Sequence, residues 1–308
     1  MEINNKPRVV IWFVSNDNRF IGNAKNILEK QFNGVDLIGV TANTKITVKD
    51  ETGRELPFLP LNELSQNGGG YDIFLVAGGR PIGMSEITKF ARAIKLDENK
   101  LLADWIVCIP GFELKKYRQL QRSQLSIFSI NCFGGSLSHT LALPFRSPFV
   151  NLYLSNKDFV KFLENPHFYF GKELVYHGQK MDSKKTYYFP VAAMDDVLLN
   201  MMHYKNFEDS VINWEKRKTR INWYNLFVVM WATSQEELEK FDSLPYGKKA
   251  CFVPFESDLD SAFYVNPKIR SDLNRFVDIF NDSANGNPFY YDPFDMLLYG
   301  KKTQIIEM

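Results

Sequence analysis

Cysteine is scarce in this sequence of 308 residues: Cys108, Cys132 and Cys251 are odd in number and widely spaced. That pattern excludes a disulfide framework and a zinc cage, and it points to a reducing compartment, the cytoplasm. Of the four histidines, His139, His167 and His177 show no ligand spacing, so no metal ligands are assigned. Excess charge is missing too. Lys+Arg 37 against Asp+Glu 36 leaves a net charge of +1. This removes any global electrostatic case for nucleic acid or an anionic membrane and confines anion binding to local clusters. Long apolar runs are absent: Val9 to Val14 is among the longest, far below the roughly 20 residues that cross a bilayer. The opening residues, Met-Glu-Ile-Asn-Asn-Lys-Pro-Arg, enter a strand without the basic and apolar regions of a secretory leader. Internal repeats, heptads and low-complexity tracts are also lacking, which excludes solenoids and coiled coils.

What is present is core-forming material. Hydrophobic residues at 45% and aromatics at 15% exclude global disorder. The length exceeds one compact core, so the reading is α/β with two domains, a Rossmann-like domain over 1–120 and a second α/β domain over 121–308. In the first, Arg8 to Ser15, Val35 to Val40 and Asp72 to Ala77 read as adjacent parallel strands. A helix over Asn23 to Gln31 and a hairpin over Ile46 to Phe58 lie between them, and a helix capped by Ser85 and a last strand over Leu101 to Cys108 follow. The dinucleotide fingerprint is missing. The first strand-to-helix turn, Ser15 to Gly22, has one glycine where three are needed, and Thr41-Ala42-Asn43 offers no acid for a ribose. The turn Gly78 to Gly83 reads as a strand exit or a phosphate approach.

The chain is organised around residues 125–148. Leu125 to Ile130 reads as a buried strand, followed by Asn131, Cys132, Phe133 and the pair Gly134-Gly135. Two glycines permit a tight turn at positive φ with outward-facing amides, and Ser136 to Leu143 then reads as a short helix stopped by Pro144. Strand, glycine turn and helix N-terminus together make an anion-binding or nucleophile-presenting corner. Downstream, Phe149 to Leu154 reads as a strand and Lys157 to Glu164 as a helix capped by Ser155 or Asn156. Strands follow around Glu173 to Tyr176, Tyr187 to Val191 and Val197 to Met202. Phe207 to Arg220 reads as a helix, Leu226 to Ala232 and Ala250 to Val253 as strands, and Ile269 to Phe280 as helical.

Each chemical candidate carries two readings. Cys132 is a nucleophile, with the Gly134 and Gly135 amides as oxyanion hole and His139 or His203 as base; otherwise it is a small buried residue in a turn. His203 is a base or sugar hydrogen-bonder, or a histidine bonded at a core edge. Asp195 and Asp196 point to opposite sides of a strand and are not a glycosidase pair; the other reading is half of a metal site, as in the Asp-rich motifs of sugar transferases, though the following Asp is missing. Arg217 and Arg220, three apart on a helix, form an anion pocket or pair with Glu208, Asp209 and Glu215. Trp214 and Tyr224 stack on a sugar or pack in a core.

Ser129-Ile130-Asn131-Cys132-Phe133-Gly134-Gly135, Ser147-Pro148, Asp158-Phe159, Asp196, His203-Tyr204, Trp214, Arg217, Arg220-Ile221-Asn222 and Asn225 together resemble a bacterial family of unknown function often labelled as exopolysaccharide biosynthesis proteins. The resemblance covers about residues 123–255, with Ile130 where the family usually has asparagine and Phe133 where it has tryptophan. It implies a protein that handles a sugar or an activated sugar in surface-polysaccharide assembly. The expected catalytic set is Cys132, His203 and Asp196, with Asn131, Gly134, Gly135, His139, Arg217, Arg220 and Asn222 binding substrate. Two classes of function follow: a transferase, or a non-catalytic sugar or nucleotide-sugar binding protein acting through partners. The sequence names no cofactor.

Overall fold

The computed structural model describes residues 6–15, 19–50, 52–66, 70–80, 83–184 and 186–307. The chain divides into two compact units, Met1–Leu114 and Lys115–Met308. Both are mixed α/β structures built on parallel sheets.

In the first unit β1 (Arg8–Phe13), α1 (Ile21–Gln31), β2 (Asp36–Ala42), α2 (Leu61–Gln66), β3 (Ile73–Ala77), α3 (Met84–Ala93), β4 (Leu101–Ala103) and α4 (Asp104–Val107) follow in order. Four strands form a parallel sheet in the order β2-β1-β3-β4. The near-continuous apolar runs of β1 and β3 are the reason these strands are central: both faces are covered, and every residue of β3 is buried. The three strands expected to be neighbours are β2, β1 and β3, side by side and parallel. Gly39 in β2 is needed for close approach, since a Cβ there would lie 2.7 Å from both the Leu59 side chain and the Pro57 carbonyl.

Three expectations here are corrected. The last strand stops at Ala103, because the buried Asp104 carboxylate takes the Gly78 and Trp105 amides and turns the chain into α4. Ser85 lies inside α3, whose N-cap is Gly83. The hairpin over 46–58 contracts to a turn at Asp50 with one antiparallel bridge, Lys49 to Glu55. Asn16 to Asn18 of the first turn, Glu51, and Pro81-Ile82 lie outside the described residues.

The second unit runs α5 (Leu114–Arg122), β5 (Ser126–Ser129), α6 (Phe133–Thr140), α7 (Asn156–Glu164), α8 (Pro166–Phe170), β6 (Val175–Met181), β7 (Tyr188–Met194), β8 (Val197–Asn200), α9 (Phe207–Lys218), β9 (Leu226–Trp231), α10 (Gln235–Asp242), β10 (Lys249–Val253), β11 (Ala262–Tyr264), α11 (Phe276–Ala284) and α12 (Pro293–Tyr299). A parallel sheet in the order β11-β10-β9-β5 is its base, and β6-β7-β8 forms an antiparallel meander. Phenylalanine fills the core around it: Phe128, Phe149, Phe162 and Phe170 meet edge-to-face, and buried Trp214 packs on Phe149 and Phe170. Trp214 is therefore a core residue, whereas Tyr224 is fully exposed.

Residues 149–154 do not form the expected strand. The Val150 amide bonds the Pro148 carbonyl at 2.8 Å and Asn151 adopts φ 68, so the segment bends and keeps only one bridge, Tyr153 to Asn200. Asp195 and Asp196 are likewise not on a strand: Met194 pairs with Val197, which leaves the two aspartates as the turn between β7 and β8. The helical stretch expected over 269–280 splits into a short 3-10 turn at Pro267–Arg270 and α11.

Candidate functional site

β5 ends at Ser129, and the chain then turns directly into α6 with Cys132 as its N-cap. Gly134 and Gly135 are therefore inside the helix, and neither adopts a positive φ. This corrects the glycine-turn expectation. Gly134 is glycine for a packing reason: a Cβ would fall 2.8 Å from Ser129 Oγ and 2.9 Å from Ile127 Cγ2. Its amide donates to Ser129 Oγ at 3.0 Å, and that hydroxyl donates to the Asn131 carbonyl at 2.6 Å. The Gly134 amide is thus engaged inside the protein and does not serve as an oxyanion donor. Asn131 is engaged as well. Its Oδ1 accepts the Phe133 amide at 2.9 Å, and its Nδ2 donates to Asn281 Oδ1 on α11 at 2.8 Å. The stacked rings of Phe133 and Phe280, 4.3 Å apart, lock the same two helices together.

On this frame sits a cleft of about 240 Å³ lined by Cys132, Gly135, Ser136, His139, Phe145, Val150, Asn151 and Asn285. It lies beyond the C-terminal end of β5, the end of a parallel sheet where α/β proteins hold ligands. The lining is mostly apolar in area and includes the exposed ring of Phe145, with two carboxamides, a hydroxyl, a thiol and an imidazole set into it. His139 follows Cys132 by two helical turns, about 10 Å of rise, so the pair lines one face without being in bonding register along the axis. Burial pushes the Cys132 thiol up, against hydrogen bonds from the Asn151 and Leu152 backbone that pull it down.

The bent 149–154 segment forms the far wall. Behind it the Arg217 guanidinium donates to the Val150 carbonyl at 3.1 Å and to the Tyr204 hydroxyl at 2.5 Å. Burial raises the Tyr204 phenol, and a charge on Cys132 would raise it further, which places the two groups within electrostatic reach. His203 is exposed; its amide donates to the Asn151 carbonyl at 3.2 Å, and its side chain is not among those lining the cleft.

Three expected residues lie elsewhere. Asp196 faces α7 and α8, paired with Lys161 and accepting from the Tyr169 hydroxyl at 3.0 Å. The Lys161 bond is the first cause of its lowered pKa. β8, four residues or about 13 Å long, separates it from His203. Arg220 falls two residues beyond the end of α9, exposed, so it does not share a helix face with Arg217. Asn222 bonds Ser126 and Gln124 at the N-terminal end of β5, the opposite end of the strand from Cys132. Among the described residues no group of three or more His, Cys, Asp or Glu is placed to hold a metal ion.

The cleft thus unites Cys132, Gly135 and His139, with Asn131 and Gly134 supporting its floor. Sequence reasoning missed Ser136, Phe145, Asn151 and Asn285. Asn151 had a legible signal, since asparagine is among the few residues that take a left-handed backbone readily. Asn285 had none; it arrives from the end of α11, 153 positions after Cys132 by numbering (285 minus 132).

Comparison with known proteins places these features in a family. Residues 106–299 match the profile described as "Domain of unknown function (DUF1919)". A Haemophilus influenzae protein named "Uncharacterized protein" is 34% identical over 183 residues, covering 58% of this chain and 84% of the relative.

Proposed function

We propose, for a chain that belongs to the DUF1919 family, that the cleft beyond β5 binds a sugar or sugar derivative and that the protein serves surface-polysaccharide assembly as a binding protein. The observation that carries this is the lining itself. Asn151, Asn285, Ser136 and His139 supply hydrogen-bond donors and acceptors, and Phe145 supplies an exposed ring. Hydroxyl groups are matched by carboxamides, and the apolar face of a sugar ring by an aromatic side chain. A volume of about 240 Å³ suits one sugar unit better than a whole nucleotide sugar. The polysaccharide setting rests on the sequence resemblance alone.

A transferase with Cys132 as nucleophile is the second reading. Its support is the place of Cys132 at the positive end of α6 with His139 in the same cleft. Against it stand the raised thiol and the engaged Gly134 amide. Asp196, Arg220 and Asn222 have no part in either reading, and Arg217 acts by holding the wall.

The order β2-β1-β3-β4 supports treating the first unit as Rossmann-like, with the domain boundary near residues 114–120. Three free cysteines accord with a cytoplasmic location.

A calorimetric screen of monosaccharides, sugar phosphates and nucleotide sugars tests the proposal. Binding is expected for the parent protein and for Cys132→Ala, and it should weaken at least several-fold in Asn151→Ala and Asn285→Ala. Affinity unchanged in both asparagine variants would overturn the site. Turnover by the parent that vanishes in Cys132→Ala would replace the binding reading with the transferase one.

A further inference from the structure

The first unit contains a larger cleft, about 640 Å³, that the sugar reading does not use. It lies beyond the C-terminal end of β2, between the segment 58–62 and the last turn of α3. We propose that it binds a nucleoside phosphate.

Four observations converge. First, the walls are apolar and partly aromatic, with Phe58, Pro60 and Leu61 on one side and Phe90 and Ile94 on α3. A flat base is buried well by such surfaces, and Phe90, 43% exposed, has ring area to offer. Second, Lys45 and Lys95 both line the cleft and, among the described residues, no acidic side chain does, so its charge selects an anion. Lys45 follows β2 and Lys95 follows α3, so two separate segments bring positive charge to one cleft, which suits a multivalent anion.

Third, Lys95 occupies a costly backbone state. It follows α3 at φ 59, the left-handed conformation that glycine favours at a helix end. Its amide and that of Leu96 close the helix on Arg92 and Ala91. Glycine would close it with less strain, so the ammonium group can be removed by Lys95→Gly without cost to the backbone.

Fourth, two buried polar groups stand just behind the cleft without partners. Trp12 and Thr41 are register partners on β1 and β2, which puts their side chains on one face of the sheet. Trp12 Nε1 and Thr41 Oγ1 lack hydrogen bonds, although the residues are 2% and 0% exposed. The Trp12 ring lies 5.6 Å from that of Phe90, which lines the cleft. Buried polar groups are ordinarily paired, so this corner of the sheet keeps hydrogen-bonding capacity that the described residues leave unused. A purely aliphatic acid would answer the lysines and leave Asn43 and the aromatic walls unmatched. A base against the aromatic walls, a ribose and a phosphate match the lining.

The experiment is calorimetry on the full chain with ADP and UDP as probes, against inorganic phosphate, adenosine and uridine. A nucleoside diphosphate should bind at least about tenfold more tightly than either of its halves, and binding should weaken with salt. Lys45→Met and Lys95→Gly should each weaken it about tenfold, the loss of one charge-assisted contact. Lys95→Gly suits the backbone, so its melting temperature should hold or rise, which separates a lost contact from a lost fold. Asn285→Ala, the variant expected to weaken sugar binding in the second unit, separates the two clefts: nucleotide affinity should not follow the sugar affinity down. Failure of both nucleotides to bind, unchanged affinity in both lysine variants, equal binding of phosphate alone, or loss of nucleotide binding in Asn285→Ala would each overturn the proposal. The last would move the nucleotide to the second unit and leave the sugar reading to be judged by the sugars of its own screen.

Discussion

One nitrogen of Arg217 donates to both the Tyr204 hydroxyl, at 2.5 Å, and the Val150 carbonyl, at 3.1 Å. A residue expected to meet a ligand anion instead ties α9 to the wall of the cleft. Arg217→Ala removes both bonds and leaves the buried phenol only a weak contact with Val150 at 3.4 Å. The expected loss is about 2 kcal/mol, read by urea denaturation, with sugar binding weakened through the displaced wall. Arg220→Ala, at an exposed position, should stay within about 0.5 kcal/mol of the parent. Equal effects of the two variants would refute the assignment.

Adjacent glycines should respond oppositely to alanine. At Gly134 a methyl meets Ser129 Oγ at 2.8 Å and Ile127 Cγ2 at 2.9 Å, and overpacking of this kind costs about 1–3 kcal/mol. At Gly135 the nearest atom is Val150 Cγ1 at 3.4 Å, an ordinary contact, so the higher helix propensity of alanine should hold or raise stability by up to about 1 kcal/mol. Gly135→Ala should nonetheless weaken ligand binding, since the methyl enters the cleft. Thermal melts and calorimetry on the pair decide both points.

The raised thiol of Cys132 fixes a pH profile. Its ordinary value is 9.0, and burial moves it higher. Alkylation by iodoacetamide, followed by mass spectrometry, should be slow at pH 7 and climb only above pH 9. Cys108, pushed up to about 11 by burial and by Asp104, should react later still, and buried Cys251 least of all. As burial favours the neutral thiols in the folded state, their contribution to stability is full below their unfolded values and is lost as the pH rises through the folded ones. A Cys132 midpoint below pH 8 would restore the nucleophile.

Asp196 should prove structural and dispensable for binding. Its carboxyl is held below the ordinary 3.8 by Lys161 first and Tyr169 second. The folded value being depressed, the stabilisation is present above the unfolded value and is lost as the pH falls through the folded one. Asp196→Asn should abolish that acid-limb dependence in a pH series of melts and leave sugar affinity unchanged. Reduced affinity would return Asp196 to the site.

The elements were legible in the sequence wherever their cause is local. Apolar runs place β1, β3 and β9 because a strand covered on both faces needs them. Ser155 starts α7 by accepting the amide of Asp158. The stretch from Ser129 to His139 also announced itself, though as a strand leading into a glycine turn. What those residues touch was decided by the tertiary structure. Gly134 is glycine because Ile127 and Ser129 crowd it, a packing fact that imitates a turn signal in the sequence. Arg217 turns to Val150, 67 positions away, and Asn131 to Asn281, 150 positions away. Asn151 bends the chain and thereby ends a strand that its apolar neighbours would otherwise support. Periodicity and caps act over a few residues and survive in the sequence as pattern. A hydrogen-bond partner or a cleft wall depends on which surfaces meet when separate elements pack, and that information belongs to no single stretch of chain.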